Sequence, residues 1–118
     1  MRINYSNRKK GFIAENKAAK YLIDNGFELI DKNYYTPYGE IDIVAKKDNV
    51  LHFIEVKSGR NFNPLLNITE RKMSRLCKSV LIYLSKNNLD SIYCIDVISI
   101  QNEKISFISN VSYMFDLC

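Results

Sequence analysis

The sequence predicts an α/β domain, a mixed central sheet flanked by helices in the order αβββαβ. Three observations carry this. Stretches of helical period at about residues 6–25 and 67–88 bracket a run of alternating segments. Two of those segments, from Gly39 to Ala45 and from Val50 to Lys57, are apolar on both faces, as a sheet covered on both sides requires. The second helical stretch is long enough to cross over and bring residues 92–100 back parallel to the third strand.

The first helix ends before Gly26, a C′ glycine. Steps of −3, +3, +4 and +7 from Glu15 reach Phe12, Ala18, Ala19 and Leu22, which centres a carboxylate on the buried stripe. Asn16, Lys17, Lys20 and Asp24 form the wet side. Residues 27–35 read as the first strand, and Thr36-Pro37-Tyr38-Gly39 as a turn into the second. Asp48-Asn49 is two-residue hairpin chemistry between the second and third strands. The second helix reads from Asn67, with Glu70 at the capping-box position. Its core stripe is Met73, Leu76, Cys77, Val80, Tyr83 and Leu84, and Arg71, Lys72, Arg75 and Lys78 make its first turns basic. A short fifth strand follows at residues 104–109, and the apolar tail from Val111 to Cys118 docks as a helical turn.

With 118 residues and a 47% apolar fraction, the chain reads as one folded domain over 1–118 rather than a disordered segment. A net charge of +4 suits an anionic partner without specifying one. Cys77, Cys94 and Cys118 form no C-x-x-C pair, and no secretory leader precedes them, so they read as reduced thiols in a cytoplasmic protein. No apolar run is long enough to span a membrane.

The hairpin concentrates the chemistry. If Asp48-Asn49 sets the register, Asp42 lies opposite Glu55 and Glu40 opposite Lys57. Alternation puts Glu40, Asp42 and Val44 on one face of their strand, and Leu51, Phe53, Glu55 and Lys57 on one face of theirs. Facing carboxylates repel; a bound cation or a shared proton reverses the sign. Glu15 belongs to the same pocket or to a structural ion pair, and acids on strands are most often a solvated sheet face. His52, the only histidine, points to the other face from Glu55 and reads as structural. Tyr34, Tyr35 and Tyr38 gather near the site end of the hairpin.

Lys10-Gly11…Glu15…Ala18…Tyr21-Leu22…Gly26, Asn33-Tyr34, Gly39-Glu40-Ile41-Asp42-Ile43-Val44-Ala45, Phe53-Ile54-Glu55-Val56-Lys57, Lys72…Arg75-Leu76…Tyr83-Leu84 and Ile95-Asp96-Val97 span most of the chain. Together they resemble the YraN family of small bacterial proteins. The layout of Glu, Asp and Glu-x-Lys resembles the PD-(D/E)XK nuclease superfamily. The resemblance implies a restriction endonuclease-like core and a metal-dependent phosphodiesterase acting on nucleic acid, DNA first, branched or single-stranded. It further implies Glu15, Asp42, Glu55 and Lys57 as the catalytic set. Asp42 and Glu55, with the Val56 carbonyl, would hold Mg²⁺ or Mn²⁺. Lys57 would position the attacking water or meet transition-state charge. Arg60, Lys72 and Arg75, with the Arg8-Lys9-Lys10 cluster, would contact phosphates. Two rivals stand beside this reading. One is a nucleic-acid-binding module that keeps the fold and has little or no cleavage activity. The other is a partner-binding protein whose acids form a buried ion-pair network with Lys57. Oligomeric state is left open, a homodimer included.

Overall fold

The computed structural model describes the backbone of residues 5–10 and both backbone and side chains of residues 11–60, 63–64, 68–89 and 91–111. Its elements are α1 (Tyr5–Asp24), β1 (Glu28–Thr36), β2 (Gly39–Lys47), β3 (Val50–Gly59), α2 (Glu70–Lys86), β4 (Tyr93–Gln101) and β5 (Lys104–Ile108). The order is αβββαββ, and its last element is the short strand expected at residues 104–109.

The strands form one five-stranded sheet in the order β1-β2-β3-β4-β5. All neighbours are antiparallel except β3 and β4, which the α2 crossover makes parallel. One face carries Val44, Leu51, Phe53, Ile95 and Val97, sealed by Met73, Leu76, Cys77, Val80 and Tyr83 of α2. The other carries Ile43, Ala45, Ile54, Ile98 and Ile100, sealed by Ala14, Ala18, Ala19 and Leu22 of α1. The domain is therefore a mixed sheet between two helices, and the doubly apolar central strands follow from burial on both sides.

Local chemistry sets the element ends. The Gly26 amide donates to the Ile23 carbonyl and the Phe27 amide to that of Leu22, a Schellman closure made possible by φ +86° at Gly26. Asp48 and Asn49 both take positive φ, 52° and 63°, as a two-residue hairpin turn of matching twist demands. The start of α2 differs from expectation. Thr69 is the N-cap, its side chain accepting from the Lys72 amide at 3.2 Å, so Glu70 occupies the first helical position and not the capping-box site. Asn67 lies outside the described residues, as do the tail beyond Val111 and Cys118. Val111 itself is buried against the α2 face. Cys77 is buried on the α2 face, and Cys94 is free.

The buried stripe of α1 is also displaced. Phe12 is 63% exposed, and Ala14, Ala18 and Leu22 form the inner line. Small residues there bring the helix close to the sheet, leaving no room for a phenyl ring on that line. Glu15 is half-buried beside that line rather than at its centre. No helix among the described residues is long and apolar enough to cross a membrane.

Candidate functional site

The β2–β3 register is the one the turn dictates. Lys47 pairs with Val50, and pairing continues to Ile43 with Ile54. One step further would place Asp42 against Glu55, and there the ladder stops. The Val56 amide donates instead to the Asp42 carboxylate, Oδ2 at 2.8 Å. A side chain has replaced a backbone acceptor, and the two strands part at the level of the acids.

Strict alternation fails at the same place. Ile41 packs with Val44 on the α2 face, while Ile43 between them packs on the α1 face. Glu40 is therefore not paired with Lys57, although simple alternation sets the two opposite each other. Its backbone pairs with Tyr35 of β1, and its Oε1 accepts a hydrogen bond from Asn33 Nδ2. Asn33 Nδ2 also reaches Glu15 Oε2 at 2.8 Å. Asn33 sits between the Lys32–Ile43 and Tyr34–Ile41 pairs, the row of Asp42, with φ +53°. Its amide thus ties α1 to β2 across β1.

Carboxylate oxygens of Glu15, Glu40 and Asp42 lie within 4.8 Å of one another. Glu55 stands on the other side of Asp42, and its Oε1 is 3.1 Å from Lys57 Nζ. Burial, then the charge of Glu55, push the Asp42 carboxyl up to about 8; Glu15 and Glu40 add to the rise, against the Val56 amide. Burial also raises Glu55, with Lys57 opposing. Four acids share one basin, and among the described residues Lys57 is the lysine ion-paired with one of them, Glu55. Hard oxygen donors carrying excess negative charge fit a divalent cation such as Mg²⁺ or Mn²⁺.

A cleft of ≈ 200 Å³ opens beside the acids, between β2, β3 and α2. Glu40, Glu55 and Lys57 line one wall, and Lys72 and Arg75 of α2 line the other. Tyr38 borders it, with Lys78 Nζ 5.2 Å from its ring centroid. The structure thus brings Glu15, Asp42, Glu55, Lys57, Lys72 and Arg75 to one region. Arg60 is exposed just beyond the end of β3. Arg8, Lys9 and Lys10 lie on α1, their side chains outside the described residues. Of the three tyrosines, Tyr34 is spent on core packing against Tyr83, ring centroids 4.8 Å apart, and Tyr35 is 74% exposed.

A family model described as "Uncharacterised protein family UPF0102" matches residues 14–100, which hold α1 from Ala14 to the end of β4 bar one residue. The chain belongs to the UPF0102 family. It is 46% identical over 105 residues to a UPF0102 protein of Wolinella succinogenes, covering 89% of this chain and 97% of that one. A UPF0102 protein of Campylobacter fetus is 46% identical over 104 residues, 87% of this chain and 93% of its own. One from Helicobacter hepaticus is 44% identical over 107 residues, 91% and 97% respectively. The matched UPF0102 region contains the whole acid basin and both basic residues of the cleft wall.

Sequence reasoning missed two members of the site. Alternation pairs Glu40 with Lys57, and the pattern gives Asn33 no role. The one signal for Asn33 is its residue type, since asparagine is the non-glycine residue that best tolerates positive φ.

Proposed function

We propose that the acid basin and its basic cleft form a metal-dependent phosphodiesterase centre acting on nucleic acid, DNA before RNA, on a restriction endonuclease-like core of the PD-(D/E)XK kind. One observation carries the reading: a half-buried Asp42 flanked by Glu15, Glu40 and Glu55, with its carboxyl pushed up to about 8. Such a cluster is unfavourable in the folded protein until a cation arrives, which is the arrangement a divalent site needs. Asp42 would hold Mg²⁺ or Mn²⁺ together with Glu55 or with Glu15 and Glu40. The ion, when bound, supplies positive charge at the reacting phosphate and a more acidic water.

The chain's own groups account for the rest. Lys57 projects into the cleft beside Glu55, where an ammonium can orient a nucleophilic water and meet charge that grows at the phosphate. Lys72 and Arg75, on the facing wall, are placed to hold flanking phosphates, contacts that position a strand without reading its sequence. Glu15, fixed by Asn33, is set to hold a water or a second ion.

The test is a panel of labelled single-stranded, duplex and branched DNA and matching RNA, incubated with the protein and Mg²⁺ or Mn²⁺. Metal-dependent cleavage of at least one DNA structure, abolished by chelation and by Asp42→Asn, is expected. Binding without cleavage across the panel would leave a nucleic-acid-binding module in its place. Neither binding nor cleavage would leave the acids as a structural ion-pair network.

A further inference from the structure

A second cluster of side chains of metal-ligating type stands on the α1 face of the sheet, near the start of β3 and β4. His52 and Cys94 are cross-strand neighbours in the parallel β3–β4 pair, and Asp96 lies two residues on. Cys94 Sγ is 3.1 Å from His52 Nδ1, Asp96 Oδ2 is 2.5 Å from the same nitrogen, and Cys94 Sγ is 3.7 Å from Asp96 Oδ2. We propose that His52, Cys94 and Asp96 form a binding site for a borderline-soft divalent cation, Zn²⁺ above all, separate from the acid basin.

The donor set decides the metal. One thiolate, one imidazole and one carboxylate select zinc-like ions, whereas Mg²⁺ prefers oxygen alone. The geometry is close to what such an ion needs. Zinc about 2.0 Å from nitrogen and oxygen and 2.3 Å from sulfur would set donors roughly 3.3 to 3.5 Å apart. His52 and Asp96 would part by under an ångström and the sulfur would hardly move.

The surroundings are built rather than incidental. Asp96 is fully buried, and its Oδ1 accepts from the Asn110 amide at 2.7 Å, which aims Oδ2 at the other two donors. The His52 ring is held edge-on by Phe27, centroids 5.0 Å apart. His52 keeps 15% side-chain exposure and Cys94 is half-buried, so a metal has an entry path and a water can fill the fourth position. Burial and the Asp96 charge push the Cys94 thiol up to about 12, and a bound cation would reverse that, releasing the thiol proton to solvent.

The same geometry argues against a Cys-His-Asp nucleophile. Sulfur and carboxylate both crowd Nδ1, and Nε2 lies 4.0 Å from the sulfur. A proton relay requires the two partners on different ring nitrogens. The trio also lies apart from the acids, since His52 is on the α1 face and three residues before Glu55 on β3.

The experiment is Co²⁺ and Zn²⁺ titration of the intact protein in excess Mg²⁺, following the thiolate-to-cobalt charge-transfer absorption and metal retained on dialysis. Wild type should show the band and retain one ion, and Asp42→Asn should behave alike. Cys94→Ser should lose the band and bind Zn²⁺ at least about tenfold more weakly, with circular dichroism showing that it folds. Wild type showing no band at saturating Co²⁺ would overturn the proposal without recourse to any variant. So would a band that survives Cys94→Ser, or one lost in Asp42→Asn.

Discussion

Asp42 holds its proton more tightly in the folded chain than in the unfolded one, because burial and Glu55 both oppose its charge. The sign follows. The folded-state pKa is raised, so the contribution to stability is complete below the ordinary carboxyl value and is lost as pH rises toward about 8. Glu55 shifts in the same direction. Metal-free wild type should therefore lose melting temperature relative to Asp42→Asn between about pH 5 and 8. Mg²⁺ or Mn²⁺ should restore it in wild type by mass action and do little for the variant. Calorimetry of both proteins across that range checks this, and parallel curves would remove Asp42 from the site. Asn33 can be tested without disturbing the backbone, since glycine accepts its φ of +53° at no steric cost. Asn33→Gly should keep the fold yet weaken Mn²⁺ binding about tenfold, because Glu15 and Glu40 lose their shared donor. Isothermal titration reads that difference. The approach of Asp42 to Glu55 was legible from two turn residues. The roles of Glu40 and Asn33 were not, because both depend on a row where alternation breaks, and a period-2 pattern carries no record of such a break.

The β2–β3 hairpin is the element that aims the acids. Its turn residues both sit at positive φ, where a β-branched side chain is strained. Asn49→Val should cost about 1–2 kcal/mol and loosen the register that places Asp42 beside Glu55. Urea denaturation gives the stability, and metal titration of the folded fraction gives the second effect. An unchanged midpoint would mean that the turn does not fix the register. The hairpin and the parallel crossover were legible because turn chemistry and the period-2 pattern agree from the turn out to Ile43 and Ile54. The helices were legible in their stripes but less so in their details. Phe12 is outside because Ala14 and Ala18 bring α1 close to the sheet, and that proximity is a tertiary fact. The α2 start moved to Thr69 because Asn67 and Thr69 are both good caps, and helical period alone does not choose between them.

At the scale of the whole molecule, charge is sorted across the cleft, with acids at the open end of β2 and β3 and Lys72 and Arg75 on α2 opposite. The overall charge of +4 conceals this, because it sums over both walls. Reversing Lys72 and Arg75 together to Glu should weaken nucleic-acid binding for all sequences alike. Each lost phosphate contact should flatten the log–log salt slope by about 0.7 to 0.9. Fluorescence anisotropy over a salt series measures both, and an unchanged slope would place the binding surface elsewhere.

Lys57 is the residue that isolates chemistry in the cleft from binding. An ammonium acting on charge that grows in the transition state raises rate more than affinity. The decisive measurement sets single-turnover cleavage of one DNA substrate with Mg²⁺ or Mn²⁺ beside gel-shift affinity for the same substrate, in wild type and Lys57→Ala. The predicted result is affinity within a few-fold and cleavage at least about a hundredfold slower in the variant. Equal cleavage rates for the two proteins, or no cleavage by wild type of any substrate it binds, would contradict it.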